Sequence, residues 1–277
     1  MEKQSSTTSS DTVSVAAAAV SESPLVKCDR KDQIAILTLA NPARRNALGR
    51  KLLRQLRDQL RTIGSDRTIK CVVLQAEGPV FSSGHDLREI ATADEAEAVS
   101  LFALCTEVME AIRLLPQPVI AQVQGIATAA GCQLAATCDL VVAAEEATFA
   151  TPGVKIGLFC STPAVALARA VATKKAVEML LTGAPITAAE AARIGLVNRV
   201  VPADQLEETT NALARQIVSA SGATLALGKR AFYEQLPLDR PQAYEVAERA
   251  MVENAQMPDA KEGIAAFLEK RRPEWQS

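Results

Sequence analysis

The sequence predicts an α/β core followed by a helical C-terminal region. Up to Thr162, short apolar strands alternate with helical segments, and beyond it the pattern is almost wholly helical, with breaks at Gly or Pro. Such cycles of strands and helices are typical of α/β proteins. We divide the chain into a disordered Ser/Thr/Ala-rich tail over residues 1–25, a core over residues 26–200 and a C-terminal helical region over residues 201–277.

Each predicted element has its own pattern. Residues 33–40 (QIAILTLA) predict a strand, and residues 49–64 carry leucine and isoleucine at helical spacing. Residues 70–78 and 139–145 are short, nearly continuous apolar runs, which suit strands buried on both faces of a sheet. A long helix is predicted over residues 94–115, before the PQP sequence. A strand over residues 118–125, a helix entry at TAAGCQLAATC and a strand and loop in ATFATPGVKIGLF complete the core.

Composition argues against several classes of protein. The formal net charge is −2 and the pI is about 5.7, so no overall positive field attracts nucleic acid or an anionic membrane. The six cysteines form no CxxC pair and there is one histidine, so we predict no metal site and a reducing compartment. No apolar run approaches the roughly 20 residues that span a bilayer.

The first 24 residues lack a secretory signal and the arginines of a mitochondrial presequence. We therefore expect a cytoplasmic protein and regard the mitochondrial matrix as the less favoured location.

Two loops share one design. In LQAEGPVFSSGHDLREI and in IAQVQGIATAAGCQLAATCD, an apolar strand runs into small residues that open a helix. Small residues allow a ligand to approach the backbone closely, and the first N–H groups of a helix have no partner within the helix. Two such loops facing each other would direct two N–H donors at one oxygen, as in an oxyanion hole.

Four motifs in order carry a resemblance to a known family. FSSGHDL, GIATAAGCQLAATCDLVVA, ATFATPGVKIGL and LLTGAPITAAEAARIGLVNRVV together resemble the crotonase family of enoyl-CoA hydratases and isomerases, from about residue 30 to the C-terminus. The resemblance implies a crotonase-like superhelix of ββα turns with two roughly perpendicular sheets. It also implies C-terminal helices that build homotrimers or homohexamers. An acyl-CoA thioester is the implied ligand, and no separate cofactor or metal is implied.

The resemblance places the two oxyanion-hole amides on His85 and Ala130. We expect the backbone amide of His85 to matter more than its imidazole, although a proton-transfer role for the imidazole stays open. A Ser–His hydrolase is disfavoured, because Ser82 and Ser83 lie in the same short loop as His85 and no nucleophile elbow is present.

The chain departs from the family at both catalytic glutamates. Hydratases of the family use one glutamate to activate water and another to deliver a proton to the α-carbon. Gln133 stands in place of the first and Gly153 in place of the second. Glutamine exchanges no proton at neutral pH and glycine has no side chain, so the usual hydratase mechanism does not carry over.

Other polar residues near these motifs are candidates to take over the roles of the two missing glutamates. We expect Asp86 to cap a helix, Asp139 to be structural, Glu145 and Glu146 to be solvated, and Cys160 and Ser161 to line the acyl pocket. The thiol of Cys160 or the hydroxyl of Ser161 has the chemistry to act in place of the missing glutamates.

The resemblance also implies residues that contact coenzyme A. Arg44 and Arg45 match a loop that passes the nucleotide, and Lys229 matches a basic position near the CoA phosphates of a neighbouring subunit. The expected binding set is Arg44, Arg45, Ala47, Ser83, Gly84, His85, Asp86, Leu87, Arg88, Ala129, Ala130, Cys160 and Lys229.

These observations predict an acyl-CoA enzyme, of the lyase or isomerase class, that stabilises a thioester enolate. Decarboxylation of a malonyl-type thioester fits, because the loss of CO₂ itself generates the enolate. The alternatives are an acyl-CoA-binding protein that has lost turnover and a scaffold that binds no CoA. We expect neither a nucleic-acid partner nor insertion into a membrane.

Overall fold

The computed structural model describes residues 23–276, so almost all of the tail predicted over residues 1–25 lies outside the described part of the chain. The strands are β1 (Val26–Lys31), β2 (Ile34–Leu39), β3 (Cys71–Ala76), β4 (Val80–Ser82), β5 (Val119–Val123), β6 (Ile126–Thr128), β7 (Leu140–Ala144), β8 (Thr148–Ala150), β9 (Ile186–Thr187) and β10 (Arg199–Val201).

The helices are α1 (Arg50–Gly64), α2 (Leu87–Thr92), α3 (Glu95–Leu114), α4 (Ala130–Thr137), α5 (Ser161–Ala170), α6 (Thr173–Thr182), α7 (Ala188–Arg193), α8 (Leu206–Val218), α9 (Gly222–Gln235), α10 (Arg240–Gln256) and α11 (Pro258–Leu268). The mixed α/β fold with a helical C-terminal region confirms the predicted fold class. None of the helices within residues 23–276 combines the length and apolar character that a bilayer span requires.

Ten strands of the described chain form two sheets. One has six strands in the order β1-β2-β3-β5-β7-β10, and the other has four in the order β4-β6-β8-β9. Strands β3, β5 and β7 pair in parallel in the first sheet, and β4, β6 and β8 pair in parallel in the second. The pairs β3–β4, β5–β6 and β7–β8 therefore each send their first strand to the large sheet and their second strand to the small one.

Apolar patterning accounts for how the helices cover the large sheet. Five side chains of α1, at the helical spacing predicted from the sequence, are buried: Leu52, Leu53, Leu56, Leu60 and Ile63. Helix α3 begins with a capping box between Asp94 and Glu97 and buries one side against α1. Both helices join one core cluster with the inner residues of β2 and β3.

A buried ion pair fastens the C-terminal helices to the core. The Lys229 ammonium of α9 donates to Asp139 Oδ2 at 2.7 Å and to the carbonyl oxygens of Ile112 at 2.9 Å and Gln117 at 3.0 Å. The exposed fractions of the Lys229 and Asp139 side chains are 6% and 14%. Asp139 also accepts from the Tyr233 hydroxyl at 2.8 Å, so its expected structural role is confirmed.

We predict that Lys229→Met destabilises the protein by about 3–5 kcal/mol, because the largely buried Asp139 carboxyl would lose its counter-ion. The measurement is the free energy of unfolding in urea. The control is Arg230→Met on the same helix, whose exposed pair with Glu253 contributes at most about 1 kcal/mol. Equal losses in the two variants would contradict this account.

Candidate active site

Three loops meet at one end of the small sheet. Strands β4, β6 and β8 are parallel neighbours, so the segments that follow them leave the sheet side by side. These are residues 83–86 before α2, Ala129 before α4, and residues 151–160 before α5. The two loops singled out by their small residues are the first two of these.

The loops after β4 and β6 are in direct contact. A Cβ atom on Gly84 would lie 2.8 Å from Ala129 Cβ and 3.0 Å from the Ala130 nitrogen. A Cβ on Gly131 would lie 2.3 Å from the Ser82 carbonyl oxygen. Glycine at 84 and 131 is therefore what allows the start of α4 to approach the end of β4 so closely.

The amides of His85 and Ala130 lie on either side of this contact. Neither N–H has a hydrogen-bond acceptor among the described residues. Ala130 is the first residue of α4, where an N–H group has no partner within the helix. The structure therefore brings together the two loops that carry these N–H groups, and neither N–H is bound to another group of the described chain.

Ala129 holds a backbone conformation that is rare for residues with a side chain. Its φ is 51° and its ψ is −121°. Conformations of this kind cost about 1–3 kcal/mol and persist where the surrounding structure enforces them. The enforcing contacts include its own N–H bond to the Ala150 carbonyl, at 2.9 Å, which fixes the peptide between Thr128 and Ala129, directly before the strained residue.

A neighbouring loop supports residues 82–84. The buried Asn46 donates to the Val80 and Glu77 carbonyl oxygens at 2.7 and 2.9 Å, and its own carbonyl accepts from the Ser82 hydroxyl at 2.9 Å. Leu48 N–H donates to the Gly84 carbonyl oxygen at 2.8 Å. Sequence reasoning missed Asn46, although an asparagine within a turn that needs φ of 50° is a recognisable signal.

The imidazole of His85 is turned into the protein. Its Nδ1 lies 3.2 Å from the Leu48 carbonyl oxygen, and its ring meets that of Phe102 edge-on with centroids 5.3 Å apart. Because a carbonyl oxygen only accepts, Nδ1 carries the proton and Nε2 is left buried without a partner. Burial lowers the pKa of His85, against smaller opposing effects of the Leu48 carbonyl and Glu89. The imidazole is therefore neutral at physiological pH.

Gln133 and Gly153, which stand where the resemblance places the two glutamates, lie on α4 and on the segment that follows β8. Gln133 is on the first turn of α4, is 5% exposed, and its Oε1 has no partner within the described chain. Gly153 is buried, and a Cβ there would lie 2.2 Å from the Leu158 carbonyl oxygen and 2.8 Å from Cys160 Sγ. Thr151, which sequence reasoning missed, is fully buried and its hydroxyl also lacks a partner.

The basic residues expected at the CoA site fall into two groups. Arg44 contacts Asp86 Oδ2 at 3.1 Å on the loop beside Ser83, and Arg45 and Arg88 are exposed on the same side. Lys229, in contrast, has its three N–H donors on Asp139 and two carbonyl oxygens, which leaves no donor for a phosphate. The phosphate contact expected of Lys229 is therefore not available in this structure.

The remaining candidates are placed as follows. Asp86 caps α2 by accepting from Arg88 N–H at 3.0 Å, and Glu145 and Glu146 are exposed, so these two expectations are confirmed. Cys160 is 8% exposed and lies against Gly153, whereas Ser161 is exposed at the start of α5. Over residues 23–276, no three His, Cys, Asp or Glu side chains are grouped as a metal site would need.

Comparison with known proteins identifies the class. The sequence profile of the enoyl-CoA hydratase/isomerase family matches residues 29–277. The rat protein named enoyl-CoA hydratase domain-containing protein 3, mitochondrial, is 51% identical over 256 residues, covering 92% of this chain and 85% of the relative. The chain therefore belongs to the enoyl-CoA hydratase/isomerase family, within the crotonase superfamily.

Solved structures agree with this assignment. An enoyl-CoA hydratase from Mycobacterium smegmatis superposes with a TM-score of 0.90 at 47% identity, covering 92% of this chain and all of that one. The human enoyl-CoA hydratase domain-containing protein 3 gives a TM-score of 0.89 at 48% identity, covering 91% of this chain and all of that one.

The expected cytoplasmic location is wrong by the same comparison. The rat, mouse, human and Dictyostelium discoideum relatives are all named mitochondrial. The expectation came from the scarcity of arginine in the first 24 residues, and composition alone is a weak guide to targeting.

We predict that the free energy of unfolding falls as pH decreases from 6.5 to 5. His85 is the one histidine in the chain, and its folded-state pKa is lowered. The unfolded chain therefore takes up this proton at an ordinary pKa of about 6.5 before the folded chain does, and stability is lost as pH falls. Urea unfolding at several pH values tests this, with His85→Phe expected to give a flatter profile. A wild-type stability that is constant or rises toward pH 5 would contradict the neutral buried imidazole.

Proposed function

We propose that this protein binds an acyl-CoA thioester and stabilises its enolate with the backbone amides of His85 and Ala130. The supporting observation is the pair of unpartnered N–H groups at the contact between the loops after β4 and β6. Negative charge that develops on the thioester oxygen would meet both donors at once. Donors fixed in advance by the fold need no reorganisation during the reaction, which makes them effective in catalysis.

The enolate is formed by decarboxylation of a malonyl-type thioester. Gln133 and Gly153 hold no proton to exchange, and the His85 imidazole is buried with Nδ1 directed at the Leu48 carbonyl. A reaction that needs no protein base to make the enolate suits these surroundings. The bond between the α-carbon and the carboxylate breaks, its electron pair enters the enolate, CO₂ leaves, and the α-carbon then takes a proton.

A non-catalytic acyl-CoA-binding protein is the second candidate. The observation in its favour is that the volume beside Gly153 is already filled. The Leu158 carbonyl and the Cys160 thiol lie within 3 Å of the position that a Cβ atom would take. This closed wall leaves no room for an acid at residue 153, as expected if the pocket kept its ligand and lost its reaction.

The surface around the site supports a CoA ligand and assembly of several copies. Arg44, Arg45 and Arg88 lie beside the loop over residues 83–86, where they would meet CoA phosphates. The C-terminal helices expose apolar side chains, among them Phe232 at 54%, Met251 at 67% and Phe267 at 79%. We assign these helices to contacts within a trimer or hexamer.

We also place the protein in the mitochondrion, because several of its relatives are named mitochondrial.

We predict that Ala130→Pro lowers the conversion of its thioester substrate by about 10²–10³-fold, because one oxyanion donor is lost. Ala130 occupies the first position of α4, so proline there removes the N–H without breaking a hydrogen bond within the helix. The measurement is mass spectrometry of enoyl-, 3-hydroxyacyl- and malonyl-type CoA thioesters after incubation with each protein.

The matched control is Thr173→Pro, which places proline at the first position of α6, outside the three loops of the site. Circular dichroism checks that both variants fold. Conversion that is equal in the wild type and in Ala130→Pro would rule out the amide mechanism. Thioesters that bind and all return unchanged would favour the binding-protein alternative.

A further inference from the structure

The Cys160 thiol takes the volume next to Gly153. A Cβ on residue 153 would lie 2.8 Å from Cys160 Sγ, a distance at which the two atoms overlap. The Leu158 N–H also donates to the Gly153 carbonyl at 2.9 Å, which draws the exposed segment over residues 154–159 back onto this position. Because Gly153 has no side chain, the Cys160 thiol has room to line the inner wall of the site.

Two unpartnered polar side chains lie on the segments around this thiol. The Thr151 hydroxyl, two residues before Gly153, is buried without a partner, and so is Gln133 Oε1 on the first turn of α4. Leaving a buried polar group unpaired costs about 1–3 kcal/mol, so such groups commonly have a ligand or a water as their partner. Both side chains are more than nine-tenths buried. They supply unpaired polar atoms on α4 and on the segment that leads to Cys160.

The chemistry of the surrounding groups favours Cys160 as the source of a proton. A glutamine amide and a threonine hydroxyl do not release a proton in the neutral range. Burial raises the pKa of the Cys160 thiol, against an opposing hydrogen bond with the Gly153 backbone, so the thiol carries its proton at neutral pH. Cys132 on α4 is fully buried, with its pKa raised to about 12, mainly by burial.

We propose that the Cys160 thiol delivers a proton to the α-carbon of the thioester enolate. This inference rests on the proposed function. The S–H bond breaks, the enolate electron pair forms the new C–H bond, and the resulting thiolate takes a proton from water. Cys160 is 8% exposed, so water reaches it between turnovers, whereas Cys132 is fully enclosed.

The first test asks where Cys160 lies relative to the α-carbon. In bromoacetyl-CoA the α-carbon carries a bromide, which a nearby thiolate displaces to form a thioether. At pH 8.5 we expect alkylation of Cys160 at least about tenfold faster than of the other five cysteines, because binding brings the two reacting atoms together. Peptide mass mapping locates the label, excess CoA should protect, and Cys132→Ala should label as the wild type does.

Labelling of another cysteine, or of all six at one slow rate, would overturn the inference while leaving the proposed function in place. Failure of CoA thioesters to bind at all, seen as no shift in the thermal unfolding midpoint, would overturn the proposed function itself.

The second test asks whether Cys160 acts in the reaction. A methylmalonyl-type thioester decarboxylated in D₂O gains one deuterium at its α-carbon. We expect the wild type to give one configuration, and Cys160→Ala to give a mixture with turnover lowered by about 10²-fold, the usual contribution of a positioned acid.

A thiol that merely fills space would leave the configuration of the product unchanged. A single configuration from Cys160→Ala would therefore overturn the inference, as would a mixture from the wild type. Cys132→Ala is the matched control, and its product should keep the wild-type configuration.

Discussion

The close contact between the loops after β4 and β6 is the constraint on which the site depends. Strands β4 and β6 are parallel neighbours, and the start of α4 lies so close to β4 that a Cβ on Gly131 would be 2.3 Å from the Ser82 carbonyl. This contact sets the Ala130 amide beside Gly84 and therefore beside the His85 amide. The strained backbone of Ala129 and the buried Asn46 both serve to hold these loops in place. The proposed oxyanion hole is built from backbone groups, so its geometry depends on how these loops pack and not on the side chains of residues 85 and 130.

Much of this fold was predictable from the sequence, and the gaps have physical causes. The strand expected over residues 33–40 and the helix over residues 49–64 match β2 and α1, because each has enough residues to show its period. Strands β4 and β6 have three residues each, too few for a period, and β1 is an edge strand in which four of six residues are charged, so its pattern does not indicate a strand. The ββα turns show no fixed period in the sequence, since β3 and β5 begin 48 residues apart while β5 and β7 begin 21 apart.

The site was predictable in part. The residue types at the two loops indicate a pair of amide donors, and the family resemblance assigned them to His85 and Ala130. The use of Lys229 was not predictable, because the sequence does not tell which acceptors a lysine of an amphipathic helix will meet, and here they are Asp139 and two carbonyls. The contact of Cys160 with Gly153 was hidden for a similar reason. It depends on how residues 154–159 fold back, and these residues have no periodic pattern.

Gln133 and Gly153 stand where the family resemblance places two glutamates, and the proposed reaction keeps the amide pair while dispensing with those two acids. An amide pair that stabilises an enolate remains useful to any reaction that generates the enolate by another route. The neutral side chains of Gln133 and Thr151 and the thiol of Cys160 make the inner wall far less acidic than two carboxyl groups would. Such a wall disfavours the activation of water and tolerates a substrate that brings its own negative charge.

The most direct measurement of the central claim is the infrared stretch of a thioester carbonyl bound to the protein. Acetyl-CoA carrying ¹³C at the carbonyl would be measured free, bound to the wild type and bound to Ala130→Pro. Two amide donors polarise the carbonyl bond, so the account predicts a shift to lower wavenumber in the wild type that is much reduced in the variant. A bound carbonyl that absorbs where the free thioester does would contradict the claim that these amides hold the reacting oxygen.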